Sequence, residues 1–243
     1  MSKQPHDSLT SYDGYYKYDH GVSETYDSSR EVERHWLLED IFIGKYLQDR
    51  HIDSLLDLPI GTGRFFHHYN KIRNVTGVDI SKDMLMKAKE KVALLPQEVS
   101  VHLEQGDVFS LPFSDAVFDT VIVFRLFHLM PETSLDSAIR ELCRVSRKEV
   151  VAQTYVPIKK ARDPFLERLR AVFRKFTSLF ECRNPSIQTT SSAKPWCHIH
   201  AYYHEQSLID AKFAMCGFRS LSSTLLDQYE DSEVRATVYS KTI

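Results

Sequence analysis

The chain predicts an α/β fold: a seven-stranded, mostly parallel sheet with its last strand antiparallel, helices on both faces, and a helical lid inserted late. Three observations predict it. From Ile52 to Tyr155, apolar runs of strand length alternate with stretches of helical period, the pattern that parallel crossovers produce. The first strand ends in a carboxylate and turns through Gly61-Thr62-Gly63 into a helical pattern. Near the end, Arg219–Leu225 and Glu233–Ser240 read as strands joined by the short acidic loop Asp227–Asp231. That loop has no room for a helical crossover, so the two strands run antiparallel.

The elements follow in order. Residues 1–27 are polar but rich in tyrosine (Tyr12, Tyr15, Tyr16, Tyr18, Tyr26), an aromatic content that a disordered tail lacks, so the segment is expected to fold back as a lid. Ser28 and Glu31 have capping-box spacing, and Trp36, Leu37, Ile41, Phe42 and Leu47 then recur at helical spacing. The first strand is Ile52–Asp57. Beyond the glycines, Phe65, Phe66 and Tyr69 give a short helix a buried side. The second strand, Asn74–Asp79, precedes a helix capped by Ser81 whose inner face is Met84, Leu85, Ala88 and Val92. Val99–Leu103 is the third strand. Phe118–Phe124, almost continuously apolar, reads as a strand buried on both faces. Pro131 opens a helix through Leu135, Ala138, Leu142 and Val145, and Glu149–Tyr155 is the fifth strand. A helix from about Glu205 to Met215 stops at Gly217.

Pro157–Pro195 fits no part of this repeat. Asp163 and Pro164 suit an N-cap and first helical position, and Phe165, Leu166, Leu169, Val172, Phe173 and Phe176 fall on one stripe. The segment holds nine Lys or Arg against three Asp or Glu, so eight net negative charges are left for the remainder. A basic amphipathic insert reads as a lid over a sheet edge, or as a solvated helix packed by its stripe. The implied organisation is an N-terminal lid segment and helix (1–50), a Rossmann-like core (51–156), a basic lid insert (157–203), and a C-terminal helix with two strands (204–243).

Composition excludes several classes. The 243 residues are 42% hydrophobic and 26% charged with a net charge of −2, so no global basic field recruits nucleic acid. No apolar run reaches the roughly 18–20 residues of a membrane span, and the N-terminus lacks a secretory apolar core, so a cytoplasmic location is expected. Cys143, Cys182, Cys197 and Cys216 form no Cys-x-x-Cys pair and are expected as free thiols.

In a parallel sheet, ligands sit beyond the carboxyl ends of the strands, so the polar residues there are read as one site. Strand one ends at Asp57 and the glycine turn, strand two at Asp79, strand three leads to Asp107, and strand four to Arg125 and His128. Unpaired N–H groups at a helix start after a glycine turn seat an anion. An acid closing strand two suits ribose hydroxyls and one after strand three an exocyclic amine, which implies an adenosine with a charged tail. A dinucleotide fingerprint needs a third glycine where Phe66 stands, and a phosphate loop needs Gly-Lys where Gly63-Arg64 stands. His198, His200 and His204 lack a carboxylate at ligand spacing, so no metal is expected; His200 and Tyr202 are read instead as pocket wall.

The set Leu55-Leu56-Asp57-Leu58-Pro59-Ile60-Gly61-Thr62-Gly63-Arg64-Phe65, Gly77-Val78-Asp79-Ile80-Ser81, Gly106-Asp107-Val108, Phe118-Asp119 and Phe127-His128-Leu129-Met130-Pro131 resembles the class I S-adenosylmethionine-dependent methyltransferases over roughly residues 30–156. The resemblance implies a seven-stranded sheet with the seventh strand antiparallel, S-adenosylmethionine as cofactor, and methyl transfer. It implies that Asp57 and the backbone of Gly61, Thr62 and Gly63 hold the methionine end. Asp79 would take the ribose, Ile80 and Met84 the adenine face, Asp107 its amine and Val108 its ring edge, while Phe124 and Arg125 line the path to the sulfonium. Pro59-Ile60 departs from the family's glycine and small residue, and removes one N–H. Tyr26 and Arg30 are expected to close over the cofactor, with Tyr16 toward the acceptor. His128 is the candidate base, read against a role in ordering its loop. The acceptor is expected to be a small acidic molecule methylated on oxygen or nitrogen. A macromolecular acceptor (RNA, protein or lipid) and a non-catalytic partner subunit stand as the alternatives.

Overall fold

The computed structural model describes residues 20–31, 33–96, 99–158 and 201–242. Met1–Pro157 with Ala201–Ile243 form one compact unit and Ile158–His200 a second. The fold below is that of the first unit. Tyr16, His198, His200, Cys182, Cys197 and the basic insert lie outside the described residues.

Helices α1 (His20–Arg30) and α2 (Arg34–Gln48) precede strand β1 (Ser54–Asp57), followed by β2 (Asn74–Asp79), helix α3 (Lys82–Val92), β3 (Ser100–Gln105) and β4 (Phe118–Val123). Then come α4 (Glu132–Val145), β5 (Ser146–Pro157), α5 (Gln206–Met215), β6 (Phe218–Gln228) and β7 (Ser232–Lys241). The seven strands form one sheet in the order β3-β2-β1-β4-β5-β7-β6. All pairings are parallel except those of β7, which runs antiparallel to β5 and to β6. Strand order reverses between β1 and β4, and the crevice at such a switch point is where an open α/β sheet binds ligands.

The sheet is covered on both faces, which is why β4 is buried at every position. On one face Leu135, Ala138, Ile139, Leu142 and Val145 of α4 join Ile209 and Phe213 of α5 against Val121, Val123 and Val150. Phe213 stacks on Tyr239 at a centroid distance of 3.8 Å. On the other face Ile43, Tyr46 and Leu47 of α2 pack with Leu55, Val75, Ile122 and Val151. Each large side chain so buried contributes about 1.5–3 kcal/mol. Asp119 ties the sheet's amino-terminal edge: it accepts from the backbone N–H groups of Asp53 and Ser54 and pairs with Arg147 and Lys148. Burial works to raise its pKa, but those cations and N–H donors hold it down at about 2.

Three expectations for the first third of the chain change. Ser28 and Glu31 do not start a helix: Ser28 lies inside α1, where its hydroxyl donates back to the Thr25 carbonyl. The chain breaks after Arg30, and α2 begins behind Glu33 with no side-chain cap. The face of α2 turned inward is His35, Glu39, Ile43, Tyr46 and Leu47, while Leu37 (59%) and Ile41 (43%) are exposed. Two polar side chains displace the apolar stripe because each meets polar partners inside: Glu39 faces the buried Arg64 and Arg125, and His35 meets the Tyr155 and Tyr229 hydroxyls and Glu33. After the glycine turn there is a single 3₁₀ turn, Phe66–His68, rather than a helix. Phe65, Phe66 and Tyr69 are buried as expected.

Candidate functional site

The turn after β1 is built so that backbone, not side chain, borders a cleft. Leu58-Pro59 is a cis peptide, and Gly61 and Gly63 both have positive φ (+55° and +74°). A Cβ on Gly63 would sit 2.2 Å from the Phe66 ring, so glycine there is a packing requirement. A Cβ on Gly61 would meet nothing within 4 Å, because that side of the residue faces open space.

Asp79, buried at the end of β2, organises the turn. One carboxylate oxygen accepts from the Gly61 N–H (2.8 Å) and the other from the Ser81 N–H (2.9 Å). Burial pushes its pKa up to about 6, against the N–H donors of Ser81 and Gly61, which pull it down. A carboxylate offers about four lone-pair sites and the Ser81, Gly61 and Ile80 N–H groups take three at most, so Asp79 remains an acceptor for a hydroxyl arriving from the cleft. The Gly63 N–H is spent on the Ile60 carbonyl. With only a 3₁₀ turn following and both glycine N–H groups engaged, the two glycines do not supply the N–H donors of the anion seat expected from a helix start. The glycines' contribution is open backbone surface.

The cleft is lined by Tyr26, Pro59, Ile60, Gly61, Thr62, Arg64, Phe65, Asp79, Ile80, Met84, Phe124, Arg125, Leu126 and Leu129. It is a mostly apolar, aromatic slot whose charged lining is one carboxylate, Asp79, and two guanidinium groups, Arg64 and Arg125. Those cations are held by Glu39, which is wholly buried. Its carboxylate accepts from Arg125 Nε (3.0 Å) and Gln153 Nε2 (3.2 Å) and lies 2.8 Å from Arg64 Nη1. Glu33 takes Arg125 Nη1 at 3.2 Å. Both guanidiniums lie against the Trp36 ring, Arg64 at 3.9 Å and Arg125 at 4.9 Å. Burial opposes the charge on Arg125, yet Glu39 foremost, then Tyr26, keep it firmly protonated. Arg125 stands at positive φ (59°), its N–H fixed by Gln153, and its Nη2 has no partner among the described residues.

The cleft therefore brings together Tyr26, Gly61, Thr62, Asp79, Ile80, Met84, Phe124 and Arg125 of the predicted set. Others stand outside it. Asp57 is covered by Tyr69, whose hydroxyl donates to it at 2.6 Å, and burial pushes Asp57 up to about 7. It is a strut beneath the turn. Gly63 is packed under Phe66. Asp107 accepts from the Phe109 N–H at 3.1 Å, and Val108 is in the core. Arg30 is engaged with Glu33 and lies over the Tyr26 ring. The His128 ring is half-buried, 5.1 Å from that of Tyr155, and its carbonyl accepts from the Tyr202 N–H. His204 is buried and bonded to the Phe127 carbonyl.

Helix α1 seals one side of the cleft with Tyr26. It is fastened by Asp27, which accepts from Thr62 Oγ1 (2.6 Å) and pairs with Lys91, and by Glu24 with Lys87. Sequence reasoning missed Arg64 and Glu39. A signal existed: Glu39 lies four residues from both His35 and Ile43, so a carboxylate falls on a buried helical face and demands a buried cation.

A family profile described as a methyltransferase domain matches residues 55–149. A phosphatidylethanolamine N-methyltransferase of Cereibacter sphaeroides is 32% identical over 157 residues, 60% of this chain and 76% of that protein. A demethylmenaquinone methyltransferase of Desulfitobacterium hafniense is 38% identical over 146 residues, 59% of this chain and 55% of that protein. The crystal structure of magnesium protoporphyrin IX methyltransferase from Synechocystis PCC 6803 with bound SAH superposes with a TM-score of 0.61 at 15% identity. That superposition covers 92% of this chain and all of that one.

Proposed function

This chain belongs to the class I S-adenosylmethionine-dependent methyltransferases, and on that premise we propose that it methylates an oxygen or nitrogen of a small acidic molecule. The observation that carries the reading is the slot running from Asp79 to Arg125. Its donor set fits the cofactor: a buried carboxylate with spare lone pairs, open backbone at Gly61, apolar faces at Ile80 and Met84, and an unpartnered guanidinium nitrogen on Arg125. When bound, the cofactor supplies an electrophilic methyl group on a sulfonium.

The chain's own residues do the rest. Asp79 holds the ribose hydroxyls, and Ile80 and Met84 flank the adenine. Asp107 and Val108 lie outside the cleft, and only their place just past the Gly106 N–H that donates to the Asp79 carbonyl supports the adenine edge as their role. Arg125 Nη2 would donate to the cofactor's carboxylate, since Arg30 is engaged with Glu33. Glu39 and Glu33 neutralise the arginines, so the wall does not repel a sulfonium. Tyr26, Phe65 and Phe124 offer aromatic faces that tolerate that cation and exclude water. For a hydroxyl acceptor, His128 is the assigned proton acceptor, worth about 10²–10⁴ in rate.

The acidic acceptor rests on the nine Lys or Arg against three Asp or Glu in 157–195. The same basic amphipathic stretch, with a relative named for methylating phosphatidylethanolamine, supports a second reading in which the acceptor is a lipid headgroup at a membrane surface.

Calorimetry with S-adenosylmethionine and its demethylated product tests the site. Both bind one per chain, and Asp79→Asn weakens each at least about tenfold. Unchanged affinity in that variant removes the slot as the cofactor site. Incorporation of a labelled methyl group into small carboxylic acids or into phosphatidylethanolamine vesicles separates the two acceptors.

A further inference from the structure

On the flank of α2, beside its buried face, Asp40 meets His67 and His68 of the 3₁₀ turn. Both imidazole Nε2 atoms lie 3.1 Å from the same oxygen, Asp40 Oδ1. One ligand atom from each of the three residues falls within 4.8 Å of the other two. A tetrahedral ion with bonds of about 2.0–2.1 Å needs donors about 3.3 Å apart, so the set is near the required size already. We propose that Asp40, His67 and His68 bind a first-row divalent transition ion such as Zn²⁺ or Co²⁺, with the fourth position open to water.

Two further observations point at a ligand. His68 Nε2 is buried with no hydrogen bond in good geometry among the described residues, although the carboxylate is beside it. Gly44 stands in the middle of α2, where glycine costs about 1 kcal/mol relative to alanine. A Cβ there would lie 2.8 Å from His68 Cε1. The helix forgoes a better residue and leaves room for this ring. His67 is exposed, which gives an ion and its water a way in, and Asp40, His67 and Arg64 also border a surface cleft with Asp27 and Glu31. Two imidazoles and one carboxylate favour Zn²⁺, Co²⁺ or Ni²⁺ over Mg²⁺ or Ca²⁺, which want oxygen ligands. The site is apart from the cofactor slot, and none of its ligands lines it. Its effect is a clamp, tying α2 to the segment that carries Arg64 and Phe65.

The test uses the full-length, tag-free chain, stripped with chelator and dialysed. Co²⁺ and Zn²⁺ are titrated separately, followed by visible absorption and calorimetry. One equivalent binds, Co²⁺ gives the intense bands of a four- or five-coordinate site, and a hundredfold excess over the dissociation constant raises the melting temperature by about 5–10 °C. His67→Ala and His68→Ala each reduce affinity at least tenfold. Gly44→Ala, which removes no ligand, reduces it as well by crowding His68. His67 is exposed, so His67→Ala keeps the fold, checked by circular dichroism and by binding of the demethylated cofactor. Absence of stoichiometric binding, or binding that survives His67→Ala and His68→Ala but is lost in His200→Ala, overturns the assignment.

Discussion

Glu39→Gln is the sharpest test of how the slot is held together. The substitution keeps the shape of the side chain and removes one charge from a wholly buried site between two guanidiniums. Each contact, near 3 Å, is worth about 5 kcal/mol of Coulomb attraction at an effective dielectric constant of about 20. Most of that offsets the desolvation of three ions, so the net loss is far smaller than the sum. Removing one partner of a buried pair costs about 3–5 kcal/mol, because the survivors stay buried and unmatched. Glu33 still holds Arg125, which places the expected loss near the lower end, about 3 kcal/mol. That is a large part of the stability of an ordinary domain. Urea unfolding followed by circular dichroism should show a lower midpoint with an unchanged slope, and a melting temperature lower by about 6–12 °C. Adding Arg125→Met should recover part of the loss, since the second change removes a charge that the first left bare. A loss below about 1 kcal/mol, or two costs that simply add, would refute the claim that Glu39 neutralises the arginines.

Two further predictions concern the other buried carboxylates. Asp57 has a folded pKa of about 7 against an ordinary value near 3.9, so the folded state binds its proton more tightly and stability falls as pH rises through that window. Asp57→Asn should therefore raise stability at pH 8 by about 1–3 kcal/mol, by less at pH 5, which is already inside that window, and change little below about pH 4; denaturant midpoints across this range give the answer. Asp119 has the opposite sign. Its folded pKa, about 2, is below the ordinary value, so its contribution is present above pH 4 and disappears as pH falls through 2. Asp119→Asn should cost about 1–2 kcal/mol at neutral pH, after discounting for half-exposed Arg147 and Lys148, and nothing near pH 2.

Much of the fold was readable without coordinates because it depends on short-range patterning. Leu55, Leu56 and Val121–Val123 are apolar runs because both faces of their strands are covered, and that burial follows from the crossovers their spacing implies. The antiparallel β7 followed from a loop too short for anything else. Asp79, Ile80, Met84, Phe124 and Arg125 were legible as slot residues because strand ends converge in any such sheet.

By itself, then, the sequence determined the sheet, its one reversed strand and the ligand-facing edge, since period and loop length act locally along the chain. Tertiary structure alone decided which polar groups look outward and which are spent inside. Asp57 sits at a strand end like Asp79, but Tyr69 covers it while Gly61 leaves Asp79 open. Glu39, Arg64 and Arg125 come from three separate elements, so their mutual neutralisation exists only once α2 lies across the turn. Charges far apart in sequence choose their partners by packing, and no periodicity records that choice.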